Sequence, residues 1–508
     1  MPHRQPTIDA AALLAALPQR IDAIPRSAAM RTPQAPALIE GDRTLCYAAL
    51  VDEIERRAVL LRARGVRAGD RVLLVSENCI DQVALIFAAA SIDAWIVPLN
   101  PRLSAPEVDA IQAHCGARLA LYTAAVSSEA AAHAARAGAQ AQDGLMIGPL
   151  NTSCAPEAEC GAAGPDAVAA LVYTTGTTGR PKGVMLSHRN LLFVAAVSSR
   201  LRGLAPQDRA WGVLPVSHVY GLTSVLLGTL CAGACLQLAP RFTPQGMLDA
   251  IRGDGLTVVQ GVPAMYARLL EAAREPRLAS TLRFAYAGGS PLDPALKRRV
   301  EALLGLPLHN GYGLTEAAPT VSQTRLDAPR GDTSVGLPIP GVEARIVDRD
   351  GRDCDGAGAG ELWVRGPNVM QGYYRDPGAS AAALRPGGWL NTGDMARRDA
   401  DGALFIVGRT KELIIRSGFN VFPLEVETVL NAHPGVMQSA VVGRPAADGN
   451  EDVLAFVQIA ARQTLTAAEL QAWAAQRLAP YKRPARIVFM DALPAAATGK
   501  ILKHRLPS

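Results

Sequence analysis

The chain has 508 residues, of which 49% are hydrophobic and 19% charged, and its formal net charge is +5. That length suits roughly three folding units with a sizeable buried core, and the composition is that of a soluble globular protein, which argues against disorder except at the ends. Lysine and arginine interleave with acids and aromatic residues are only 5%, which argues against a nucleic-acid surface and leaves a mild bias towards anionic small molecules.

From the N-terminus, the Ala/Leu run after Asp9 predicts an amphipathic helix; the Asp before it and Pro18-Gln19-Arg20 after it do not fit a secretory signal. "DRVLLVSEN" predicts a strand and turn, "CIDQVALIFAAAS" a helix and "AWIVPLN" a second strand, together one βαβ unit. Ala-rich Ser127 to Gln142 is taken as a surface helix and loop. "VAALVY", "AWGVLP", "LTVVQG" and "LRFAYA" are further strands, each feeding a loop and a helical pattern. The uncharged stretch Val219 to Pro240 is long enough to raise a membrane span, but it carries Thr, Ser, Gln and glycines, so a buried helix followed by a buried strand is predicted. This is the pattern of an α/β fold, a doubly wound body that binds ligands beyond the carboxyl ends of its strands.

From about Gly331, Gly/Pro/Asp turns separate "VEARIVD", "GELWVRG" and "ALFIVG", which predicts a small antiparallel, barrel-like β unit over 331–409. Helices at "PLEVETVLNAH" and "LTAAELQAWAAQRL" and strands at "QSAVVGR", "DVLAFVQIA" and "ARIVFMD" then predict a small α+β C-terminal domain over 410–508, following a large domain over 1–409. The cysteines (Cys46, Cys79, Cys115, Cys154, Cys160, Cys231, Cys235 and Cys354) show no metal-ligand spacing and are expected to be free thiols in a reducing, cytoplasmic setting. Cys231 and Cys235 are expected in core packing. No zinc is expected.

After the strand "VAALVY" comes "YTTGTTGRPKGV", Tyr173 to Val184. Glycines let backbone approach a ligand closely, threonine hydroxyls and amides donate hydrogen bonds, and Lys182 adds charge, so the expected guest is phosphate. It is not a Walker loop, which needs Lys directly after the second Gly and a helix behind it; Pro181, Gly183 and Val184 suit a turn into a strand.

The stretch resembles the phosphate loop of the adenylate-forming superfamily, which includes the acyl-CoA synthetases, firefly luciferase and the adenylation domains of nonribosomal peptide synthetases. The resemblance covers nearly the whole chain through ordered landmarks: "WIVPLNPRL", "LPVSHVYG", "NGYGLTE", "GELWVRGPNVMQGYY", "NTGD", "GRTKELIIRSGFNVFPLEVE", "YKRP" and "TGKILK". It implies a reaction in two steps, formation of an acyl-adenylate and pyrophosphate from an acid and ATP, then transfer of the acyl group to a thiol. Positioning and charge stabilisation would carry the first step.

By this resemblance Thr174, Thr175, Gly176, Thr177, Thr178 and Gly179, with Lys182, would hold the β- and γ-phosphates. Thr315 would touch the α-phosphate and Glu316 would hold Mg²⁺. Tyr312 would face adenine, with Asn310, Gly311 and the loop Gly288, Gly289 and Ser290 around it. Asp394 matches the carboxylate that accepts the ribose hydroxyls, and Arg409 a second ribose or phosphate contact. Lys500, in the pattern P-x-x-x-T-G-K, would neutralise charge at the reacting phosphorus. Lys411 falls at the hinge about which the small domain turns, and Gly418 beside the pantetheine arm.

His218 matches a position bordering the acyl pocket, together with Gly288 and Gly313. The stretch Ser217 to Tyr220 has no aspartate to pair with a substrate amine, which argues against an amino acid. No Arg or Lys falls in these segments, so a monocarboxylic acid with an apolar tail is expected. A medium or long-chain fatty acid is favoured, with an aryl acid of the benzoate or cinnamate type as the alternative. Eight residues follow Lys500, too few for a carrier domain. The acceptor is therefore expected to be free coenzyme A, a separate acyl carrier protein being the alternative. Plant aromatic-acid ligases have lysines where this chain has Ile415 and Ser417. Neither a transmembrane segment nor nucleic acid is expected, and the chain is expected as a monomer or homodimer.

Overall fold

The computed structural model describes residues 8–152, 164–175, 181–253, 255–348, 350–354, 358–416, 419–445, 451–460, 463–495 and 501–507. The strands Arg71–Val75, Trp95–Leu99 and Leu119–Tyr122 are buried at every position, as parallel strands covered on both faces must be. They pair in parallel, Trp95–Leu99 adds Val168–Thr175 on its other side, and the antiparallel strands Pro181–Ser187 and Gly372–Tyr373 extend the sheet. Among the described residues this sheet has eight strands and a second has nine. The middle of the second runs parallel through Pro36–Glu40, Cys235–Leu238, Arg209–Gly212, Val258–Gly261, Phe284–Ala287 and Leu308–Gly313.

The predicted βαβ unit is present. Its helix, Ile80–Ser91, starts at Cys79, whose Sγ accepts from the Gln82 amide, and packs in an apolar core to which strands of both sheets contribute. A second helix in that core, His188–Leu201, opens on a reciprocal cap in which Ser187 and Asn190 each accept from the other's amide. It ends at Arg202, which is 1% exposed.

Between Val219 and Pro240 the chain forms a buried helical stretch, Tyr220–Leu227 and Gly228–Cys231, then the strand Cys235–Leu238. No helix among the described residues is long and apolar enough to cross a membrane. Cys231 ends the helix and Cys235 lies in the strand, so a turn separates them. They and Cys46, Cys79, Cys115 and Cys354 are free thiols, while Cys154 and Cys160 lie outside the described residues. The segment 127–142 holds the expected helix, but its end forms a strand where a loop was expected. Helix Ser128–Arg136 buries Ala130, His133 and Ala134, and Gln140–Gln142 then forms an edge strand against Leu145–Ile147.

Among the described residues the β unit is a five-stranded antiparallel sheet that contains Glu343–Val347, Gly360–Arg365, Trp389–Arg398 and Leu404–Arg409. Along Gly360–Arg365, buried and half-buried residues alternate, the mark of a sheet covered on one face. A large N-terminal domain is thus followed by a small C-terminal one. From Ile414 onward the chain has apolar cores of its own, built on a hairpin, a three-stranded sheet and the helices Pro423–Asn431 and Ala467–Ala475.

Candidate active site

A cleft of about 2150 Å³ opens beyond the carboxyl ends of the parallel strands. Thr174 lies one residue from the end of one strand, Leu214 and Pro215 follow another, Val262 and Gly288 follow two more and Gly313 ends a fifth, so the walls are set by strand ends as the doubly wound pattern requires. The opposite wall comes from the antiparallel sheet and the start of the small domain, through Asp394, Arg409, Lys411 and Pro423.

Asp394 and Arg409 are paired across neighbouring strands. Arg409 Nε lies 3.1 Å from Asp394 Oδ1, and the Tyr312 hydroxyl donates to Oδ2. Upstream, Thr392 Oγ1 accepts from the Asp394 amide at 3.1 Å, and Gly393 takes the positive φ of +70° that the turn needs. The result is a nearly buried carboxylate of fixed orientation at the cleft wall. Burial first, then Asp394, push the Tyr312 phenol well above its ordinary value. Burial lowers the Arg409 guanidinium, but Asp394 and then Glu412 more than offset this and leave it raised.

A second group lies by the strand Pro181–Ser187. Lys182 stands opposite Thr174 in the ladder, and its Nζ sits 4.8 Å from the centre of the Tyr373 ring. Tyr373 donates to Glu316 Oε1 at 2.8 Å. Glu316 belongs to the short turn Thr315–Ala317, which is held because its carbonyl accepts from the Met370 amide at 2.9 Å. Burial and then the Glu316 carboxylate raise the Tyr373 phenol. Among the described residues no three His, Cys, Asp or Glu side chains gather as a metal cage. The donor set here, one carboxylate beside a threonine hydroxyl, fits instead a magnesium ion, which keeps waters and takes its other ligands from substrate phosphates.

A third group forms a slot of aromatic rings. Tyr220 and Tyr286 meet edge to face with centroids 6.3 Å apart. A side chain at Gly288 would press on both rings, and one at Gly311 would put its Cβ 1.6 Å from Tyr286 Oη. At Gly313 a Cβ would fall 2.2 Å from the Pro319 carbonyl oxygen. Glycine at 311 and 313 is therefore required by close approach. His218 borders the same cleft, and its Nδ1 accepts from the Tyr220 amide at 3.2 Å.

The expected residues Thr174, Lys182, His218, Gly288, Gly289 and Ser290 all border this cleft, as do Asn310 to Gly313, Thr315, Glu316, Asp394, Arg409 and Lys411. Asn310 Nδ2 is taken up by the Thr333 and Ser334 carbonyls. Thr175 pairs with Pro181 at the end of its strand. Gly176, Thr177, Thr178, Gly179, Gly418 and Lys500 lie outside the described residues. Lys503, three residues after Lys500, borders the cleft and binds Glu427 at 2.8 Å and Glu412 at 2.9 Å. Burial lowers its ammonium, and these two carboxylates more than restore it.

Sequence reasoning passed over three residues. Tyr373 stood inside a quoted landmark, but nothing local marked its hydroxyl. Tyr286 precedes the glycine loop by two positions and reads as one more apolar strand residue. Arg202 lies outside every landmark, and so outside the segments found free of Arg and Lys, yet it borders the cleft.

Residues 25–374 match the family described as AMP-binding enzyme, and residues 425–500 the AMP-binding enzyme C-terminal domain. The chain is similar to a feruloyl-CoA synthase of Amycolatopsis sp, 37% identical over 96% of this chain and 98% of that one. It is also similar to an indoleacetate–CoA ligase of Aromatoleum aromaticum, 35% identical over 91% and 92%. A solved structure of O-succinylbenzoate coenzyme A synthetase from Bacillus subtilis, in complex with ATP and magnesium ion, superposes with a TM-score of 0.82 at 31% identity, covering 95% of this chain and 98% of that one.

Proposed function

Because the chain belongs to the AMP-binding enzyme family and is an AMP-forming acid–CoA ligase, we propose that its substrate is an aromatic acid, activated as the aryl-acyl adenylate and then passed to coenzyme A. The observation that carries this reading is the cleft wall where the rings of Tyr220 and Tyr286 meet beside the bare Gly288, an aromatic surface that suits a flat ring. The names of the relatives, which speak of feruloyl and indoleacetate groups, favour it over the medium or long-chain fatty acid expected from sequence.

In the first step a carboxylate oxygen of the acid attacks the α-phosphorus of ATP, a new O–P bond forms, and the bond to the bridging oxygen breaks to release pyrophosphate. Lys182 and Thr174 then serve the outer phosphates and Thr315 the α-phosphate, while Asp394 accepts from the ribose hydroxyls and Arg409 orients Asp394. Glu316 would hold magnesium, which would supply charge neutralisation at the phosphates. Lys500 serves the pentavalent centre. In the second step the thiol of coenzyme A adds to the acyl carbonyl, AMP leaves as its phosphate oxygen takes back the bonding pair, and the thiol proton passes to solvent. Lys411 would be the hinge between the two steps, and Gly418 is assigned to the pantetheine arm from the family resemblance alone.

A pyrophosphate-exchange screen over cinnamates, benzoates, arylacetates and fatty acids tests the reading, followed by a thioester assay with coenzyme A. Exchange with cinnamates or arylacetates, at kcat/KM values at least about tenfold above those for fatty acids, is expected. Exchange with fatty acids alone overturns the aromatic assignment.

A further inference from the structure

Helix His188–Leu201 delivers Arg202 into the core behind the aromatic slot. Its guanidinium lies 4.5 Å from the centre of the Tyr286 ring, and Nη1 donates to Gln260 Oε1 at 2.7 Å and to the Ser224 carbonyl at 3.3 Å. Its partners among the described residues are thus an amide oxygen, a carbonyl and an aromatic ring, and no carboxylate. A buried cation without a counter-ion is costly, and buried donors are nearly always satisfied. Yet Arg202 Nε, Gln260 Nε2 and the Tyr220 hydroxyl are all buried with no hydrogen-bond partner among the described residues. Three polar groups from three separate elements, each at least nine-tenths buried, converge where the slot ends, and the cleft reaches Arg202 and Tyr220 themselves.

Packing alone would not assemble this. An apolar acid tail needs an apolar floor, and methionine or leucine would fill the position of Arg202 without stranding a charge. The surrounding helical stretch Tyr220–Leu227 is π-helical, a geometry frequent at functional sites. Two of the unsatisfied groups are N–H donors and the third, a phenol hydroxyl, can donate as well, so an acceptor is the partner that suits all three.

We propose that the inner end of the slot is a polar subsite centred on Arg202, which receives an oxygen acceptor carried on the ring of the aromatic acid, at the end remote from the reacting carboxylate. Arg202 is a specificity-determining residue in this scheme, and the acceptor is a phenolic or carboxylate oxygen. The inference rests on the aromatic reading above.

Four ring acids test it: cinnamate, 4-methylcinnamate, 4-hydroxycinnamate and 4-carboxycinnamate, each assayed for pyrophosphate exchange with the full-length enzyme. The wild-type enzyme should show a kcat/KM for the 4-hydroxy or 4-carboxy acid at least about tenfold above that for the 4-methyl acid, because an apolar group leaves the buried donors unpaired. Preference for the hydroxyl identifies a neutral acceptor, and preference for the carboxylate an anionic one. Arg202→Met should lower turnover of the favoured acid at least about tenfold more than turnover of 4-methylcinnamate. Arg202→Lys, which keeps the charge but loses the Nε donor, should recover only part of that ratio. Should Arg202→Met not fold, Tyr220→Phe removes one donor and should shift the ratio the same way. Equal kcat/KM for all four acids in the wild type, or an equal loss for all four in the variants, overturns the subsite and leaves the aromatic reading standing. No exchange with any of the four, alongside exchange with fatty acids, removes the aromatic reading itself.

Discussion

Arg409 reaches across one rung of an antiparallel ladder to Asp394, Nε to Oδ1 at 3.1 Å, while Tyr312 donates to the other carboxylate oxygen. One side chain is thus held from two sides by strands of different sheets, so its lone pairs point in a fixed direction before any ligand arrives. Asp394→Asn keeps the shape and removes the charge. KM for ATP should rise at least about tenfold with a smaller change in kcat, the signature of lost ground-state binding. A fall in kcat at unchanged KM would remove the ribose assignment.

Tyr373 steadies Glu316 from a strand that joins the sheet only at its edge. Tyr373→Phe should raise the magnesium concentration for half-maximal pyrophosphate exchange by about tenfold, since losing a group that orients a metal ligand typically weakens the metal by that order. Activity should return at high magnesium. An unchanged magnesium titration would show that Glu316 does not hold the ion.

Lys500→Ala should depress pyrophosphate exchange by on the order of 10² to 10³, the usual loss for one charge-stabilising donor, and leave thioester formation from supplied acyl-adenylate largely intact. Equal loss of both half-reactions contradicts the role given to Lys500.

Lys411 lies exposed in the turn Thr410–Glu412, between the strand that carries Arg409 and the first hairpin of the small domain. Lys411→Pro locks φ at that turn and should spare pyrophosphate exchange while slowing thioester formation by an order of magnitude or more, because a hinge needs only a few free dihedrals. Normal overall turnover would exclude rotation at this position.

Burial lowers the His188 imidazole to about 4, and its Nδ1 accepts from the Ile21 amide at 3.3 Å, which a protonated ring cannot do. His309, stacked on Phe284, is likewise lowered to about 4 by burial. The unfolded chain therefore binds protons at these rings from about pH 6.5 downward and the folded chain does not, so stability is fully present above about 6.5 and declines as pH falls to about 4. Each ring accounts for up to about 3 kcal/mol. Urea midpoints measured from pH 7.5 to 4.5 should drop accordingly, and His188→Gln should flatten the slope. A slope unchanged by that substitution would show that the ring is not neutral in the fold.

What the chain by itself determined is what depends on neighbours in sequence. The apolar runs Val72–Val75 and Trp95–Leu99 read as buried parallel strands, alternation in Gly360–Arg365 marks a sheet with one covered face, and the ordered landmarks picked out Tyr312, Asp394 and Arg409, which line one cleft. Tertiary structure alone decided what depends on contacts between distant segments. That Tyr373 lies on Glu316, 57 positions away, follows from how an edge strand docks. That Gly311 must be bare follows from where Tyr286 lies. Arg202 had the look of an ordinary charged residue closing a helix, and its local sequence is compatible with solvent. Only the packing of three elements around it turns that charge inward, because burial and the direction of a side chain are properties of the folded core and not of the segment that carries it.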